Sequence, residues 1–132
     1  MKMRYLVIGA VAGLGLATAA AAADNLSATL SGAAGSGSAK VTVDTAKNQV
    51  CWDLASKGLT DAVAAHIHKG AAGANGPPVV PFSGVDASGN SKGCAAAGVD
   101  VVKDLVANPA GYYINVHTKT APAGAIRGQL SK

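Results

Sequence analysis

The sequence predicts an all-β fold, an antiparallel Greek-key β-sandwich of roughly seven or eight strands with one short helix. Three observations support this class. Short segments with alternating apolar and polar residues recur along most of the chain. Residues typical of turns, mainly glycine, asparagine, serine and proline, separate them. One stretch alone carries apolar residues at helical spacing. With 132 residues, the chain is long enough for about one such domain.

The N-terminus is predicted to be a signal peptide that ends at Ala23 and is removed on export. Lys2 and Arg4 form its basic start, and residues 5–16 are apolar. An alanine run then fits the small residues that signal peptidase requires. The apolar stretch falls short of the ~20 strongly apolar residues of a membrane span. We therefore expect one domain over residues 24–132, a periplasmic or secreted location and no membrane span in the mature chain.

The predicted strands follow from alternation along the mature chain. The Gly/Ser-rich stretch 31–38 is predicted to be a turn region. Pro81 places its strand at a sheet edge, because proline cannot donate to a β-ladder. The predicted strands are 26–30, 40–44, 48–54, 63–68, 79–82, 112–117 and 125–130.

The predicted helix lies between the predicted strands 79–82 and 112–117. Val101, Val102, Leu105 and Val106 recur at helical spacing. The pair Asn108-Pro109 is expected to end the helix.

The cysteines are Cys51 and Cys94. In an oxidising compartment, a disulfide between them is the expected arrangement, and it would close a loop of roughly forty residues. Two free thiols that serve as metal ligands are the alternative.

The charge pattern argues against nucleic acid as a partner. The net charge is +4, but two of the basic residues, Lys2 and Arg4, belong to the predicted signal peptide. No run of like charges forms a nucleic-acid-binding arm. The sequence also lacks Gly-x-Ser-x-Gly and Ser-x-x-Lys motifs, so nothing in it supports nucleophilic catalysis.

Three histidines carry the main functional signal. Residues two apart on a strand point to the same face, so His66 and His68 project together. His117 lies on another predicted strand, and the three imidazoles could meet if the two strands are neighbours. Neutral imidazoles suit copper, zinc or nickel, and the stability order favours Cu(II). Histidines with an ordinary polar role are the alternative.

Two further features lie close to this candidate site in the sequence. The stretch 69–78 has glycine at every third position and is predicted to be a tight loop that shapes the rim of the site. Arg127 has two interpretations: it attracts an anion towards a metal, or it holds a loop carbonyl. The alternative to both is a purely structural arginine that bonds to the backbone.

Several motifs resemble the CHRD (chordin-type) domain, and they cover nearly the whole mature chain in the family's order. Ala123 and Ala125 stand where the family often has glycine and glutamate. The resemblance implies a secreted, disulfide-bonded β-sandwich, which in animal chordins belongs to antagonists of bone morphogenetic proteins. The matching segments are Cys51-Trp-Asp-Leu54, Ala65 to Val80, Gly93-Cys94, Asn108-Pro109, Tyr112 to Thr118 and Pro122 to Leu130.

The chain also resembles, more faintly, the Cu,Zn superoxide dismutase family, which has a His-x-His strand, a later histidine and an arginine near copper. That resemblance implies His66, His68 and His117 as copper ligands and Arg127 as an anion-guiding residue. Tyr113 and Asn115 are expected to lie around the ligands. No residue matches the bridging histidine or the full zinc site, so the expected site is mononuclear.

Three function hypotheses follow. The first is an exported protein that stores, buffers or delivers copper, as Cu(II) or Cu(I), with zinc as an alternative metal and a copper donor or acceptor protein as partner. The second is a copper-only enzyme similar to superoxide dismutase. The third is a module that binds a protein or a polysaccharide without metal.

Overall fold

The structure, a computed structural model, describes residues 23–132. The predicted signal peptide, apart from Ala23, lies outside the described residues. Within them the chain forms eight strands, one α-helix (α1) and a short 3₁₀ turn. In chain order these elements are β1 (Asp24–Gly32), β2 (Gly35–Asp44), β3 (Gln49–Lys57), β4 (Ala62–Lys69), β5 (Pro78–Pro81), β6 (Ser91–Ala96), α1 (Val99–Ala107), the 3₁₀ turn (Pro109–Gly111), β7 (Tyr112–Thr118) and β8 (Ile126–Ser131).

All eight strands belong to one antiparallel sheet, in the order β5-β4-β7-β8-β1-β2-β3-β6. Consecutive strands are neighbours in the hairpins, but β3 and β4 are far apart in the sheet, as are β6 and β7. Such crossovers are typical of Greek-key connections. The predicted all-β antiparallel class is therefore confirmed.

The sheet is nearly closed, because side chains bridge its two edges, β5 and β6. Phe82 follows β5, and its ring stacks on Trp52 of β3 with the centroids 4.4 Å apart. The Trp52 Nε1–H donates to Ser91 Oγ of β6 at 2.8 Å. Ser91 Oγ in turn donates to the backbone oxygen of Ser83 at 2.6 Å. These contacts form a side-chain seam that gives the sandwich the shape of a barrel.

The core lies between the inward faces of the strands. Along β1, for example, Leu26, Ala28 and Leu30 are buried while the residues between them are exposed. The helix contributes Val102 and Leu105 to the same core. It is tied to β7 by the Tyr112 hydroxyl, which donates to Asp104 Oδ2 at 2.6 Å. The predicted helix and its end at Asn108 are confirmed.

The predicted turn region 31–38 is wrong in extent. Strand β1 continues to Gly32 and β2 begins at Gly35, so the turn is confined to two residues. The alternation fails here because the inward position Gly37 has no side chain, and Ile126 Cδ1 from β8 lies against it.

Strand β6 was not among the seven predicted segments. It pairs with β3, and Cys94 lies directly opposite Cys51. The two cysteines form a disulfide. The expected disulfide is therefore confirmed, and the alternative of two free thiols is wrong.

Candidate metal centre

Strands β4 and β7 are neighbours, which brings the three histidines to one surface. His66 pairs with Asn115, His68 with Tyr113, and Ala64 with His117. Ile67 and Val116 point into the core, so the histidines project from the outer face of the sheet. The two strands thus supply one histidine cluster from residues far apart in the sequence.

The three rings pack closely against one another. Ring centroids lie 5.4 Å apart for His66 and His68, 5.0 Å for His66 and His117, and 5.5 Å for His68 and His117. One nitrogen from each ring lies within 4.8 Å of the other two. Among the residues described, this is the one group of three metal-ligating side chains within that distance.

Backbone carbonyls fix the tautomers of two rings. His68 Nδ1 lies 2.9 Å from the oxygen of Gly76, and His117 Nδ1 lies 2.9 Å from the oxygen of Pro122. A carbonyl oxygen only accepts, so each Nδ1 carries a hydrogen and donates it. Each neutral ring therefore has its lone pair on Nε2.

The two lone pairs face each other, since His68 Nε2 and His117 Nε2 are 3.4 Å apart. Two acceptors at this distance repel unless a cation, either a proton or a metal ion, lies between them. His66 adds a third nitrogen within 4.8 Å of the other two, and its own Nδ1 is buried without a hydrogen-bond partner. The cluster therefore offers three nitrogen donors: Nε2 of His68, Nε2 of His117 and one ring nitrogen of His66.

The spacing of the Nε2 atoms matches metal coordination. With metal–nitrogen bonds of about 2.0 Å, two nitrogen ligands lie about 3.3 Å apart in a tetrahedral site and about 3.5 Å apart in a trigonal one. The distance of 3.4 Å between His68 and His117 lies between these values. Carbonyl groups on the non-ligating nitrogens are also the usual outer partners of metal-binding histidines.

The loop 70–77 covers His68, which is 7% exposed although it lies on the outer face. Its Gly76 holds two groups at once: the carbonyl accepts from His68, and the N–H donates to the Tyr113 hydroxyl at 3.0 Å. A Cβ at Gly76 would collide with the backbone oxygen of Lys69. Glycine is therefore required here by the close approach of two backbone segments.

A second loop, residues 119–125, holds His117 through Pro122. Asn115 Nδ2 donates to the backbone oxygen of Ala123 at 3.0 Å and ties this loop to β7. The Asn115 Oδ1 atom is buried and has no hydrogen-bond partner. Gly124 has a φ of +134° and lies against this amide, so a side chain there would displace Asn115.

Arg127 reaches the same surface from β8, opposite Asn115. Its guanidinium carbon lies 3.5 Å from the ring centroid of Tyr113. Its Nη2 donates to the backbone oxygen of Ala71 at 3.1 Å, which agrees with the interpretation that Arg127 holds a loop carbonyl. The Tyr113 ring in turn stacks on His68, with centroids 5.0 Å apart and planes 13° from parallel.

The electrostatics of the cluster favour a neutral His66 ring. Burial lowers the pKa of His66 below its ordinary value of 6.5, and the charges of His117 and His68 lower it further. His66 is therefore neutral at pH 7, which is the form that binds a metal.

Sequence reasoning missed the groups that position the ligands. The carbonyls of Gly76 and Pro122 leave no pattern in a sequence. Gln129 was also missed; its Nε2 donates to the backbone oxygens of Gly70 at 3.0 Å and Ala110 at 2.8 Å. Its signal was its position two residues after Arg127, which puts both on the outer face of β8.

Comparisons with known proteins identify one family. The family model described as the CHRD domain matches residues 16–130. No curated protein and no solved structure matches the chain. In the part of the chain that the structure describes, no helix has both the length and the apolar character needed to cross a membrane.

Proposed function

We propose that this chain, which belongs to the CHRD domain family, binds one copper ion through His66, His68 and His117. In this proposal the protein is exported to the periplasm or secreted, and it stores, buffers or delivers copper. A water molecule or another oxygen donor completes the coordination.

One observation carries the proposal: the Nε2 atoms of His68 and His117 face each other at 3.4 Å while both Nδ1 atoms face carbonyl oxygens. This arrangement leaves two lone pairs that only a cation satisfies. A ring nitrogen of His66 within 4.8 Å of the other two supports a third bond. Copper is favoured over zinc by the stability order for nitrogen ligands.

An exported location is supported by the disulfide between Cys51 and Cys94, since disulfides persist in oxidising compartments. A carrier role, rather than an enzymatic one in which Arg127 guides an anion, is supported by the contacts of Arg127. Its hydrogen bonds go to Ala71, Asn75 and Gln129, so they stabilise the loop beside the cluster.

The test is a titration of the purified protein with copper against a competing chelator. We expect one copper ion per chain, and nitrogen hyperfine structure in the electron paramagnetic resonance spectrum of the Cu(II) form. Each of the variants His66→Gln, His68→Gln and His117→Gln should weaken binding at least 100-fold. Gln49→Ala on β3, away from the cluster, is the control and should bind as the wild type does.

Two results would contradict the proposal. Unchanged affinity in all three histidine variants would show that the copper is held elsewhere. Superoxide dismutation well above that of free copper, and lost in the same variants, would replace the carrier role with an enzymatic one.

A further inference from the structure

We propose that the histidine cluster selects monovalent Cu(I) over divalent Cu(II) and Zn(II), and that Arg127 contributes to this selection by its charge. The inference rests on the proposed copper site and concerns which ion that site holds. It starts from the charges that accompany the three ligands.

The ligand set carries no negative charge. It consists of three imidazoles, and no carboxylate belongs to the group. The sequence contains seven acidic residues, all of them aspartate. A bound divalent ion would therefore keep its full double charge.

Several aspartates are engaged in contacts of their own. Asp61 Oδ2 accepts from the backbone N–H of Thr120 at 2.8 Å and from its hydroxyl. Asp104 accepts from Tyr112 and lies 4.0 Å from Lys69 Nζ. Asp53 pairs with Lys92. Asp44 and Asp86 accept from backbone N–H groups of their own turns.

A positive charge lies on the same face instead. Arg127 stacks on one side of Tyr113, and His68 stacks on Tyr113 as well. No carboxylate forms an ion pair with Arg127 in the described part of the chain. Arg127 therefore adds a positive charge without a carboxylate counter-ion to the face that carries the cluster.

These features penalise a divalent ion more than a monovalent one. The cost of taking an ion out of water rises with the square of its charge, and His68 is almost fully buried. Repulsion by Arg127 doubles when the charge of the ion doubles. At a separation on the order of 10 Å and an effective dielectric constant of about 20, one unit of charge changes a dissociation constant about tenfold.

The expected selectivity opposes the general order, in which nitrogen ligands bind Cu(II) more tightly than other divalent ions. The test is competition titration of the whole protein with Cu(I) under ascorbate, with Cu(II) and with Zn(II), each against a chelator of known affinity. We expect Cu(I) to have a dissociation constant at least 100-fold below that of either divalent ion.

Three variants separate charge from loop anchoring. Arg127→Gln should reduce the preference for Cu(I) over Cu(II) about tenfold, whereas Arg127→Lys, which keeps the charge, should retain it. Gln129→Leu removes uncharged contacts to the backbone of Gly70 and Ala110 and one hydrogen bond from Arg127, but it changes no charge. It should leave the preference unchanged, even if all affinities fall together.

The outcomes distinguish this inference from the proposed function. A protein that binds Cu(II) or Zn(II) as tightly as Cu(I) has a metal site but overturns the inference. A preference that is equal in Arg127→Gln and wild type overturns the role of Arg127. If no ion binds above background, the proposed function itself fails.

Discussion

His68 and His117 meet through their Nε2 atoms at 3.4 Å, and each ring is turned into that position by a carbonyl 2.9 Å from its Nδ1. The two carbonyls belong to different loops, 70–77 and 119–125. The geometry of the cluster therefore depends on both loops as well as on the pairing of β4 with β7.

The first prediction concerns Gly76→Ala. The added Cβ collides with the backbone oxygen of Lys69, so the loop must move and His68 loses the carbonyl that orients it. We expect a copper affinity 10–100-fold lower, the usual effect of losing an outer partner of a histidine ligand. The free energy of unfolding should fall by about 1–3 kcal/mol. Competition titration and thermal unfolding measure the two effects.

Gly98→Ala is the matched control for that change. The same methyl group is added there, but nothing lies within 4 Å of it. Wild-type copper affinity is expected. Equal behaviour of the two variants would contradict a positioning role for the loop.

The second prediction concerns the disulfide. Cys51 and Cys94 are 43 residues apart in sequence, so replacing both by serine frees a long loop in the unfolded chain. We expect the free energy of unfolding to fall by about 4 kcal/mol. Copper affinity of the folded variant should stay within twofold, because the disulfide joins β3 to β6 and the cluster lies on β4 and β7. Urea denaturation and chelator competition are the measurements, and a large loss of affinity would show coupling between the two regions.

The third prediction concerns pH. The pKa of His66 is lowered in the folded protein by burial and then by His117 and His68, so the unfolded state takes up a proton more readily. The neutral form therefore stabilises the fold fully above pH 6.5, and this contribution is lost as the pH falls below 6.5 towards the lower folded pKa. The metal-free protein should accordingly be less stable at pH 5 than at pH 7.5.

His66→Gln tests whether His66 is the source of this dependence of stability on pH. Glutamine does not titrate, so the dependence of the urea midpoint on pH should become shallower in the variant. An unchanged slope would assign the effect to other groups.

The fourth prediction concerns the side-chain seam. Ser91→Ala leaves the buried Trp52 Nε1–H without its acceptor and Ser83 without a donor. We expect a loss of about 1–3 kcal/mol in unfolding free energy, the usual cost of a buried unpaired polar group. In a Trp52→Phe background the donor is absent, so the same serine change should cost less. Circular dichroism during urea unfolding measures both, and additive effects would argue against the bond.

Sequence alone could predict much of the fold and of the candidate site. Alternation located the strands because each has one buried face, and the spacing of His66 and His68 placed both rings on the outer face. Strand β6 was not predicted because a side chain from another strand, β3, fills the core at that point. The indole of Trp52 lies against Gly93, so no apolar side chain marks that position.

The convergence of the three histidines could not be predicted from the sequence, for a different reason. Whether His117 meets the pair depends on which strands are neighbours, and β4 and β7 are far apart in sequence. The carbonyl partners depend on loop conformation, which side-chain patterns do not encode. Arg127 shows the same limit, since its two interpretations differ only in what lies next to it in space.

The open edges of the sheet bear on how the protein behaves at high concentration. An exposed strand edge is a template on which a second molecule can add a strand and begin to aggregate. Strand β5 begins and ends with Pro78 and Pro81, neither of which has an N–H to offer such a strand. Strand β6 carries the exposed Lys92, and a lysine on an edge strand disfavours the addition of another strand. The gap in the barrel is thus protected against intermolecular strand pairing.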